Sequence, residues 1–518
     1  MAELTAPLAD RRGEAPALVD EHGIVSFVEL DQIVNRLISA LSARGLEDHD
    51  VIALMCGNRA EFFEVTCAAA HARWVVVPVN WHWVADEVAY VLENSGARML
   101  IVEEQFLDVA RAARTDPRSA GCSSWIVVGA ATDGFESLEE VIASGSDEEP
   151  TPGGMGGPMF YTSGTTGFPK GVRSALCNTE LPTAMLSLIS GSFTAMLGLP
   201  ADGVTFLNGP AYHSAQWVFS MFPLLSGSTV VMRHRFDPIE TLRVIDQHRV
   251  TNTHLVPTQF IRLLRVDPET RAAFDGSSLE SVFHGAAPCP QPVKREMLEW
   301  FGPVVHEYYG GTEGGFITVI RGHEWDDHPA SVGRPVDIME LRVVDRDGKD
   351  CDAGTTGQIY FRNVMGSDFR YHGDDAKTAS AHLDGWGTLG DVGHLDAEGY
   401  LYLSDRLIDM IISGGVNIYP AEIEGVLVSH PSVADAAVFG IPDDEMGEQV
   451  MAVVELCDGV SDCDAVRAEL VAHCRVHLAG YKTPRRLEVT PSLPRTPTGK
   501  LTKRLLRDPF WEGRDRII

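Results

Sequence analysis

The first part of the chain alternates between short apolar runs and longer segments with helical spacing of apolar residues. Val51 to Met55, Trp74 to Val79 and Met99 to Val102 are apolar runs of strand length. Arg59 to Ala70 and Ala85 to Ser95, which separate them, have the spacing of amphipathic helices. Apolar strands that alternate with helices are typical of a parallel sheet covered on both faces. The pattern therefore predicts βαβ units and a fold of the α/β class, with mixed α+β parts.

The pattern changes near residue 405, and this change predicts a domain boundary. With 518 residues, the chain is too long for one hydrophobic core. The strand-like run Gly399 to Leu403 is followed by polar residues and then by a unit of about a hundred residues, enough for a small domain. We therefore expect a first domain over residues 1–403, a connection over 404–408 and a second domain over 409–518.

The longest uncharged stretch runs from Leu181 to Ala201 and contains Pro182, Gly191 and Gly198. Such a segment is a poor membrane-spanning helix, so a buried helix is predicted and no transmembrane segment. The stretch from Met1 to Glu14 lacks an apolar run, which argues against a signal peptide.

Charge narrows the classes of partner. The formal net charge of −31 argues against a general binder of nucleic acid or of anionic membranes. The segment from Tyr481 to Ile518 instead has ten Lys and Arg residues against four acidic ones. A basic segment on an acidic protein fits either a local polyanion, such as a phosphorylated ligand, or a solvated face.

The nine cysteines are scattered and form no CxxC pair. Their spacing favours neither a disulfide framework nor a zinc site. We expect reduced thiols in a cytoplasmic protein.

The most informative chemistry lies between Tyr161 and Val172. Glycines let main-chain N–H groups approach a phosphate closely, and hydroxyl groups and a lysine donate to its oxygens. Pro169 and Gly171 flank Lys170, so the segment is not a Walker loop, whose lysine precedes Ser or Thr. It predicts a triphosphate cradle. The cradle residues are Thr162, Ser163, Gly164, Thr165, Thr166, Gly167 and Lys170.

A second glycine-rich segment, Tyr308 to Gly315, surrounds the pair Thr312 and Glu313. Its glycines allow a ligand to approach the main chain. A glutamate beside a triphosphate is suited to bind Mg²⁺. Taken alone, however, a glycine-rich segment with an exposed glutamate is commonly only a turn.

Three further segments contain residues that could contact a ligand. Asp391 lies between glycines and could accept ribose hydroxyls, and Arg406 could contact ribose or phosphate. The pair Gly414 and Gly415 would let a narrow ligand pass close to the main chain. Lys500 lies on a loop rich in Pro and Gly, from which a long cation can reach a distant site. Each of these residues could equally be a turn residue or a solvent-exposed residue without a function.

In this order, the segments resemble those of the adenylate-forming superfamily: acyl-CoA synthetases, firefly-type luciferases and adenylation domains of peptide synthetases. The resemblance runs from about Gly23 to Arg507, and the phosphate loop and the segment Arg406 to Glu424 are its most specific parts. It implies a large N-terminal domain of βαβ layers with a barrel subdomain, and a small mobile α+β C-terminal domain. It also implies a reaction in which ATP and a carboxylate give an acyl-adenylate and pyrophosphate, after which a thiol displaces AMP.

The resemblance also implies roles for the matching positions. The phosphate loop would hold the β- and γ-phosphates, Glu313 and Thr162 would serve Mg²⁺, and Thr312 would contact the α-phosphate. The other expected contacts are Gly285, Ala286, Ala287, Tyr309, Gly310 and Gly311 for the nucleotide, Asp391 and Arg406 for ribose, and Gly414 and Gly415 for the pantetheine tunnel of CoA.

By the same resemblance, Lys500 is the catalytic lysine that contacts the carboxylate and the α-phosphate oxygens. A cation there stabilises the charge that develops on phosphorus. No general base is needed, because a carboxylate is already ionised at neutral pH. Rotation of the C-terminal domain would then remove Lys500 and bring Gly414 and Gly415 to the thiol step.

The sequence departs from the family pattern at two positions. Two residues beyond Arg406 the family usually has Asp or Lys as its hinge, whereas this chain has Ile408, followed by Asp409. In relatives that activate amino acids, an Asp in the pocket segment pairs with the ammonium group. This chain has His213 there, which disfavours an amino-acid substrate. His213 is either a gate of the carboxylate pocket or a structural histidine.

Residues near this pocket segment are mostly apolar: if they face inward, they predict a hydrophobic carboxylic acid, namely a fatty, steroid side-chain or aryl acid, whereas plain core is the alternative interpretation. They are Trp217, Val218, Phe219, Phe283, Tyr308, Phe316 and Ile317. The basic tail favours free CoA as the thiol, with a carrier protein as the alternative. A third hypothesis for the function is a nucleotide-binding protein without catalytic activity. Such a protein would be expected to lose Lys500 or Glu313, and this chain has both. The sequence leaves the oligomeric state open, including a homodimer.

Overall fold

The computed structural model describes residues 4–151, 154–162, 169–173, 181–406, 409–413, 416–443, 445–496 and 501–512. The α-helices of these residues are, in chain order, α1 (Ala6–Arg12), α2 (Phe27–Ala43), α3 (Ala60–His71), α4 (Ala85–Ser95), α5 (Leu107–Arg114), α6 (Leu138–Ala143), α7 (Ala184–Leu197), α8 (Ser214–Leu225), α9 (Pro238–His248), α10 (Pro257–Leu264), α11 (Pro268–Ala273), α12 (Gln291–Phe301), α13 (Asp375–Ser380), α14 (Pro420–Val428), α15 (Asp464–His477) and α16 (Lys503–Arg507).

The strands of the same residues are β1 (Pro16–Val19), β2 (Ile24–Ser26), β3 (Val51–Met55), β4 (Val75–Pro78), β5 (Ala97–Glu103), β6 (Ser124–Val128), β7 (Glu136–Ser137), β8 (Gly157–Pro158), β9 (Phe160–Thr162), β10 (Lys170–Arg173), β11 (Val204–Leu207), β12 (Thr229–Met232), β13 (Asn252–Leu255), β14 (Ser281–His284), β15 (Val305–Gly311), β16 (Gly315–Ile320), β17 (Arg334–Pro335), β18 (Met339–Val344), β19 (Gly357–Asn363), β20 (Arg370–Tyr371), β21 (His382–Leu383), β22 (Trp386–Gly387), β23 (Asp391–Leu395), β24 (Leu401–Arg406), β25 (Ile411–Ser413), β26 (Val416–Ile418), β27 (Val433–Asp443), β28 (Gly447–Leu456) and β29 (Arg486–Thr490).

The predicted βαβ units form a parallel sheet of order β7-β6-β5-β3-β4-β8. All five residues of β3 and all four of β4 are buried, because helices cover both faces of the sheet. The continuous apolar runs of the sequence reflect this two-sided burial. The α/β prediction is confirmed, with α3 and α4 at the expected positions.

The second sheet has the order β17-β16-β15-β14-β13-β11-β12-β1-β2. Its central strands are parallel, whereas β15 and β16 form an antiparallel hairpin. In an open parallel sheet, ligands bind at the carboxyl ends of the strands. The loops after β11, β13, β14 and β15 therefore outline the edge where a site is expected.

The uncharged stretch forms α7, which begins at Ala184 and ends before Gly198. Gly198 has a φ of 67° and closes the helix in the left-handed conformation that favours glycine. Across the described residues, no helix is long and apolar enough to cross a membrane.

In the region where the resemblance implies a barrel subdomain, the strands form an antiparallel sheet of order β21-β22-β19-β23-β24, with β18 paired to β19. The strand expected to end at Leu403 continues to Arg406, because Asp405 and Arg406 pair with Val392 and Asp391. Residues 404–406 of the expected connection are therefore part of this sheet.

The C-terminal part forms a separate small sheet of order β26-β25-β28-β27, with β29 parallel to β28. Helices α14 and α15 pack on it around their own apolar core, which includes Ile411, Ile423 and Leu470. The chain therefore has a large N-terminal and a small C-terminal domain, as expected. Pro420 starts α14, where a missing N–H is harmless.

Candidate active site

The expected magnesium residue lies at the tip of the hairpin between β15 and β16. The turn is tight: a Cβ at Gly310 would overlap the carbonyl oxygen of Gly315, so only glycine fits there. Beyond Gly311 the chain presents Thr312 and Glu313. The Tyr371 hydroxyl donates to Glu313 Oε1 over 3.0 Å and orients this carboxylate.

The start of α8 meets the same hairpin tip. The hydroxyl oxygens of Ser214 and Thr312 are 2.9 Å apart, which joins the first residue of α8 to the turn. His213 caps the helix, since its side chain accepts from the Ala215 N–H over 3.4 Å. His213 therefore caps α8 next to Ser214, whose hydroxyl contacts the predicted residue Thr312.

The predicted ribose residues lie next to this turn. The Tyr309 hydroxyl donates to Asp391 Oδ2 over 2.8 Å, and the pair is buried. Arg406 is the main-chain partner of Asp391 across β23 and β24. The register therefore places both predicted ribose residues at neighbouring positions of one sheet, beside Tyr309, which the resemblance assigns to the nucleotide.

The phosphate segment is held at its base by strands β9 and β10, in which Lys170 pairs with Thr162. The Lys170 ammonium lies 3.6 Å from a carboxylate oxygen of Asp374, and this contact partly offsets its charge. Ser163, Gly164, Thr165, Thr166 and Gly167 lie outside the described residues, as do Ile408, Gly414, Gly415 and Lys500.

The loop Gly285, Ala286 and Ala287 follows directly from β14. A Cβ at Gly285 would come within 2.6 Å of the Tyr308 ring, so the loop packs closely against that ring. Ala286 has a φ of 66°, in the left-handed region that alanine seldom adopts. A strained turn at the end of a parallel strand is typical of a ligand-binding loop.

Two charged residues that the sequence analysis missed, Lys294 and Glu307, are buried directly behind this loop, beside His284 at its start. The Lys294 ammonium on α12 contacts His284 Nε2 and lies 3.7 Å from Glu307 Oε2. Burial lowers the pKa of Lys294 and of His284 and raises the pKa of Glu307. The sequence signal was the spacing of Lys294 and Met297, which places the lysine on the buried face of α12.

Several aromatic residues of the predicted apolar pocket pack against one another within the hydrophobic core. Phe316 lies 4.4 Å from Tyr308 between ring centres, and Phe219 lies 5.2 Å from both Phe283 and Phe316. Ile317 faces the opposite side of β16, where it packs in the cluster that contains Tyr309. The reason is the alternation of side chains along a strand.

The aromatic cluster also contains a polar chain that the sequence analysis missed. Gln216 Nε2 lies 2.9 Å from His254 Nδ1, and His254 Nε2 lies 3.1 Å from the Tyr308 hydroxyl. Burial lowers the pKa of His254 to about 3, so the ring is neutral. No sequence spacing identifies this chain, because its members lie on three separate elements.

The donor set at the hairpin tip suits Mg²⁺, which prefers a few carboxylate oxygens completed by phosphates and water. Glu313 provides such a carboxylate, and the hydroxyl of Thr312 is adjacent to it in the turn. Among the described residues no cluster of three or more His, Cys, Asp or Glu has the geometry of a metal site. A metal at this turn would therefore depend on the nucleotide for its remaining ligands.

Fold and site together define an adenylate-forming α/β enzyme, and comparison with known proteins identifies its family. Residues 7–366 match the family model of the AMP-binding enzymes, and residues 422–500 match that of the AMP-binding enzyme C-terminal domain. The chain belongs to the AMP-binding enzyme family.

Similar proteins span the full length of the chain. A feruloyl-CoA synthase of Amycolatopsis sp is 33% identical over 97% of this chain and 98% of its own length. The fatty acid–acyl-carrier-protein ligase ScoC of Streptomyces coeruleorubidus is 29% identical over 100% of this chain and 98% of its own. The solved o-succinylbenzoate CoA synthetase of Bacillus subtilis, in complex with its acyl-adenylate intermediate, has a TM-score of 0.81 at 28% identity over 100% of this chain and 99% of its own.

Proposed function

We propose that this chain is an ATP-dependent acyl-CoA ligase that activates a hydrophobic carboxylic acid. The observation that carries the proposal is the convergence at the hairpin tip. Thr312 contacts the start of α8, Glu313 is oriented by Tyr371, and Tyr309 contacts Asp391. These contacts bring the metal, phosphate and ribose residues inferred from the sequence to one edge of the second sheet.

In the first half-reaction, an oxygen of the acid bonds to the α-phosphorus of ATP while the bond from that phosphorus to the pyrophosphate oxygen breaks. Thr312 would donate to the α-phosphate, and Asp391 would accept from ribose hydroxyls. Mg²⁺ bound at Glu313 would neutralise charge on the phosphate oxygens. Lys500 and the phosphate loop complete the proposed site from sequence positions outside the described residues.

In the second half-reaction, a thiolate bonds to the acyl carbon and AMP leaves with the electrons of the broken bond. We propose that the C-terminal domain, residues 409–518, rotates about the connection 404–408 between the two steps. Support comes from the separate apolar core of this domain. Because residues 404–406 are held in β24, the freedom of rotation would lie beyond Arg406.

The aromatic cluster of Phe219, Phe283, Tyr308 and Phe316 supports a hydrophobic acid. Ligand pockets of this kind are mostly apolar with a few polar anchors. Relatives that act on feruloyl and fatty acyl groups are consistent with an aryl or fatty acid. The eight cysteines of the described residues are free thiols, which is consistent with the proposed cytoplasmic location.

A carrier-protein thiol is the second candidate acceptor, and one observation favours it. Several cations of the basic tail are paired within the C-terminal domain, which leaves fewer of them for the phosphates of CoA. These pairs are Lys482 with Glu422, Arg485 with Asp443, Arg486 with Glu488, Arg495 with Asp435, Lys503 with Glu424, and Arg507 with Asp409.

The test is a pyrophosphate-release assay with ATP and Mg²⁺ over fatty, aryl and steroid side-chain acids, with CoA, with a pantetheinylated carrier protein, or with neither. We expect acid-dependent pyrophosphate release, and a thioester only when CoA is added. A thioester on the carrier protein alone would move the proposal to the second candidate. Absence of acid-dependent pyrophosphate release with every acid would refute both.

A further inference from the structure

The polar chain of Gln216, His254 and Tyr308 lies inside the aromatic cluster, at the carboxyl edge of the second sheet. Gln216 is on α8, His254 is on β13 and Tyr308 is on β15, and each is more than nine-tenths buried. Buried polar groups in an apolar setting are costly unless each has a hydrogen-bond partner. The direction of each hydrogen bond among these three residues can therefore be worked out, starting from Gln216.

The orientation of the Gln216 amide fixes the first bond. Its nitrogen lies 2.9 Å from His254 Nδ1 and also 3.4 Å from the His254 main-chain oxygen. A carbonyl oxygen can only accept, so the amide nitrogen, and not the amide oxygen, must face it. The amide therefore donates, and His254 Nδ1 accepts.

The protonation of His254 follows from this bond. A neutral imidazole has one N–H, and because Nδ1 accepts, the proton is on Nε2. Nε2 lies 3.1 Å from the Tyr308 hydroxyl and donates to its oxygen. The Tyr308 hydroxyl is then an acceptor in this contact and keeps its own proton for another partner.

That second partner is absent from the described part of the chain, where the Tyr308 hydroxyl forms a hydrogen bond only with His254. Burial also raises the pKa of Tyr308, which keeps the proton in place. The Tyr308 ring packs between the loop residue Gly285 and the rings of Phe219 and Phe316. A hydrogen-bond donor is thus left over where the aromatic cluster meets the loop Gly285, Ala286 and Ala287.

We propose that the Tyr308 hydroxyl is a specificity-determining anchor that donates to an oxygen on the body of the acid. The preferred substrate class is a hydrophobic acid with a hydroxyl, ether or ketone oxygen in addition to its carboxylate. This inference rests on the proposed function. An acid without such an oxygen leaves the donor unpaired, and sites built around a hydrogen bond strongly reject analogues that lack the partner.

The experiment compares pairs of acids that differ by one oxygen, in the wild type and in Tyr308→Phe. Suitable pairs are 4-hydroxycinnamate with cinnamate, 10-hydroxydecanoate with decanoate, and polycyclic acids with and without a ring ketone. For at least one pair, we expect the wild type to favour the oxygenated acid by about 10-fold or more in kcat/KM. In Tyr308→Phe that ratio should fall close to one.

Tyr400→Phe is the matched control, because Tyr400 is equally buried and its hydroxyl donates to Glu324 in a separate cluster. It should leave the ratio as in the wild type. If Tyr308→Phe lowers kcat/KM equally for both members of every pair, the hydroxyl serves the shared carboxylate or the fold, and the inference is wrong. It is equally wrong if no pair shows a preference in the wild type.

The direction of the hydrogen bonds among Gln216, His254 and Tyr308 can also be tested without measuring enzyme turnover. In ¹⁵N spectra of histidine-labelled protein, the signals lost in His254→Gln should show an unprotonated Nδ1 and a protonated Nε2. The opposite tautomer would leave Tyr308 no spare proton and would overturn the inference even if the enzyme activates acids. Failure of acid activation with the expected tautomer would instead count against the proposed function.

Discussion

At the scale of single residues, the site depends on side chains that orient other side chains. Tyr371 donates to Glu313, and Tyr309 donates to Asp391. A carboxylate held by one hydrogen bond loses less freedom when it binds a ligand, and such orienting partners commonly change metal affinity 10- to 100-fold, roughly, when removed. The tyrosines are therefore as testable as the carboxylates.

For the variant Tyr371→Phe, we expect the Mg²⁺ concentration at half-maximal activity to rise about 10-fold or more, because Glu313 loses its orienting donor. A magnesium titration of pyrophosphate release measures this concentration. Tyr402→Phe is a control. The Tyr402 hydroxyl donates to Asp396 Oδ2 over 3.3 Å, and this hydrogen bond lies away from the hairpin tip. An unchanged magnesium dependence in Tyr371→Phe would contradict the assignment of Glu313.

At the scale of elements, the contact of Lys294 on α12 with His284 on β14 and Glu307 on β15 holds the base of the loop Gly285, Ala286 and Ala287. A buried ion pair is weak evidence for stability as a whole, but removal of one partner leaves an uncompensated buried group. The three residues therefore tie the position of Gly285 to that of the hairpin that presents Thr312 and Glu313.

Lys294→Met should lower the free energy of unfolding by about 3–5 kcal/mol, because Glu307 would be left without its cation. The double variant Lys294→Met with Glu307→Leu should recover much of this loss, since an apolar pair can replace a buried ion pair. Denaturant unfolding of the three proteins measures both changes. A double variant no more stable than Lys294→Met would show that the two residues do not act as a pair.

At the scale of the whole molecule, the proposed reaction needs both domains. The hairpin tip and the nucleotide loop lie in the N-terminal domain, whereas the proposed catalytic Lys500 lies in the C-terminal part of the sequence. A rotation of one domain would separate adenylation from thioester formation. Kinetic measurements of each half-reaction alone can therefore test whether the two domains contribute to different steps.

Lys500→Ala should reduce acid-dependent pyrophosphate release by about 100-fold or more, because the charge on the attacked phosphorus would lose its cation. The same variant should still convert a supplied acyl-adenylate to a thioester with CoA. Lys503→Ala, which removes a nearby lysine paired with Glu424, is the control. A parallel loss of both half-reactions in Lys500→Ala would argue against domain rotation.

Acid should destabilise the whole fold through its buried histidines. Burial lowers the pKa of both His254 and His306 to about 3, against about 6.5 in the unfolded chain. Between these values the unfolded chain binds protons that the folded chain does not, so stability falls as the pH falls.

We expect each of these histidines to lower the free energy of unfolding by about 1.4 kcal/mol per pH unit below the unfolded pKa. Denaturant unfolding at pH 7 and at pH 5 measures this loss. His306→Gln, which removes one titrating ring, should flatten the pH dependence. An equal slope in the wild type and in this variant would contradict the prediction.

Much of the fold and part of the site could be predicted from the sequence. The strands β3, β4 and β5 have continuous apolar runs because both faces of their sheet are buried, and that pattern is local. The turn around Thr312 and Glu313 was visible because tight turns need glycines at fixed positions. The end of β24 was not, because its last residues are polar and are held by pairing with β23.

The sequence by itself determined the α/β class and the glycine-bound turns, and it supplied the residues proposed for ATP and magnesium, because these depend on periodicity and residue chemistry within short segments. Only the tertiary structure decided which residues act on one another. Gln216, His254 and Tyr308 meet because parallel strands end at one edge of a sheet, and Lys294 meets Glu307 because α12 packs behind that edge. Contacts between distant segments leave no recognisable spacing in the sequence, so the hydrogen-bond donor within the aromatic cluster is visible only in the fold.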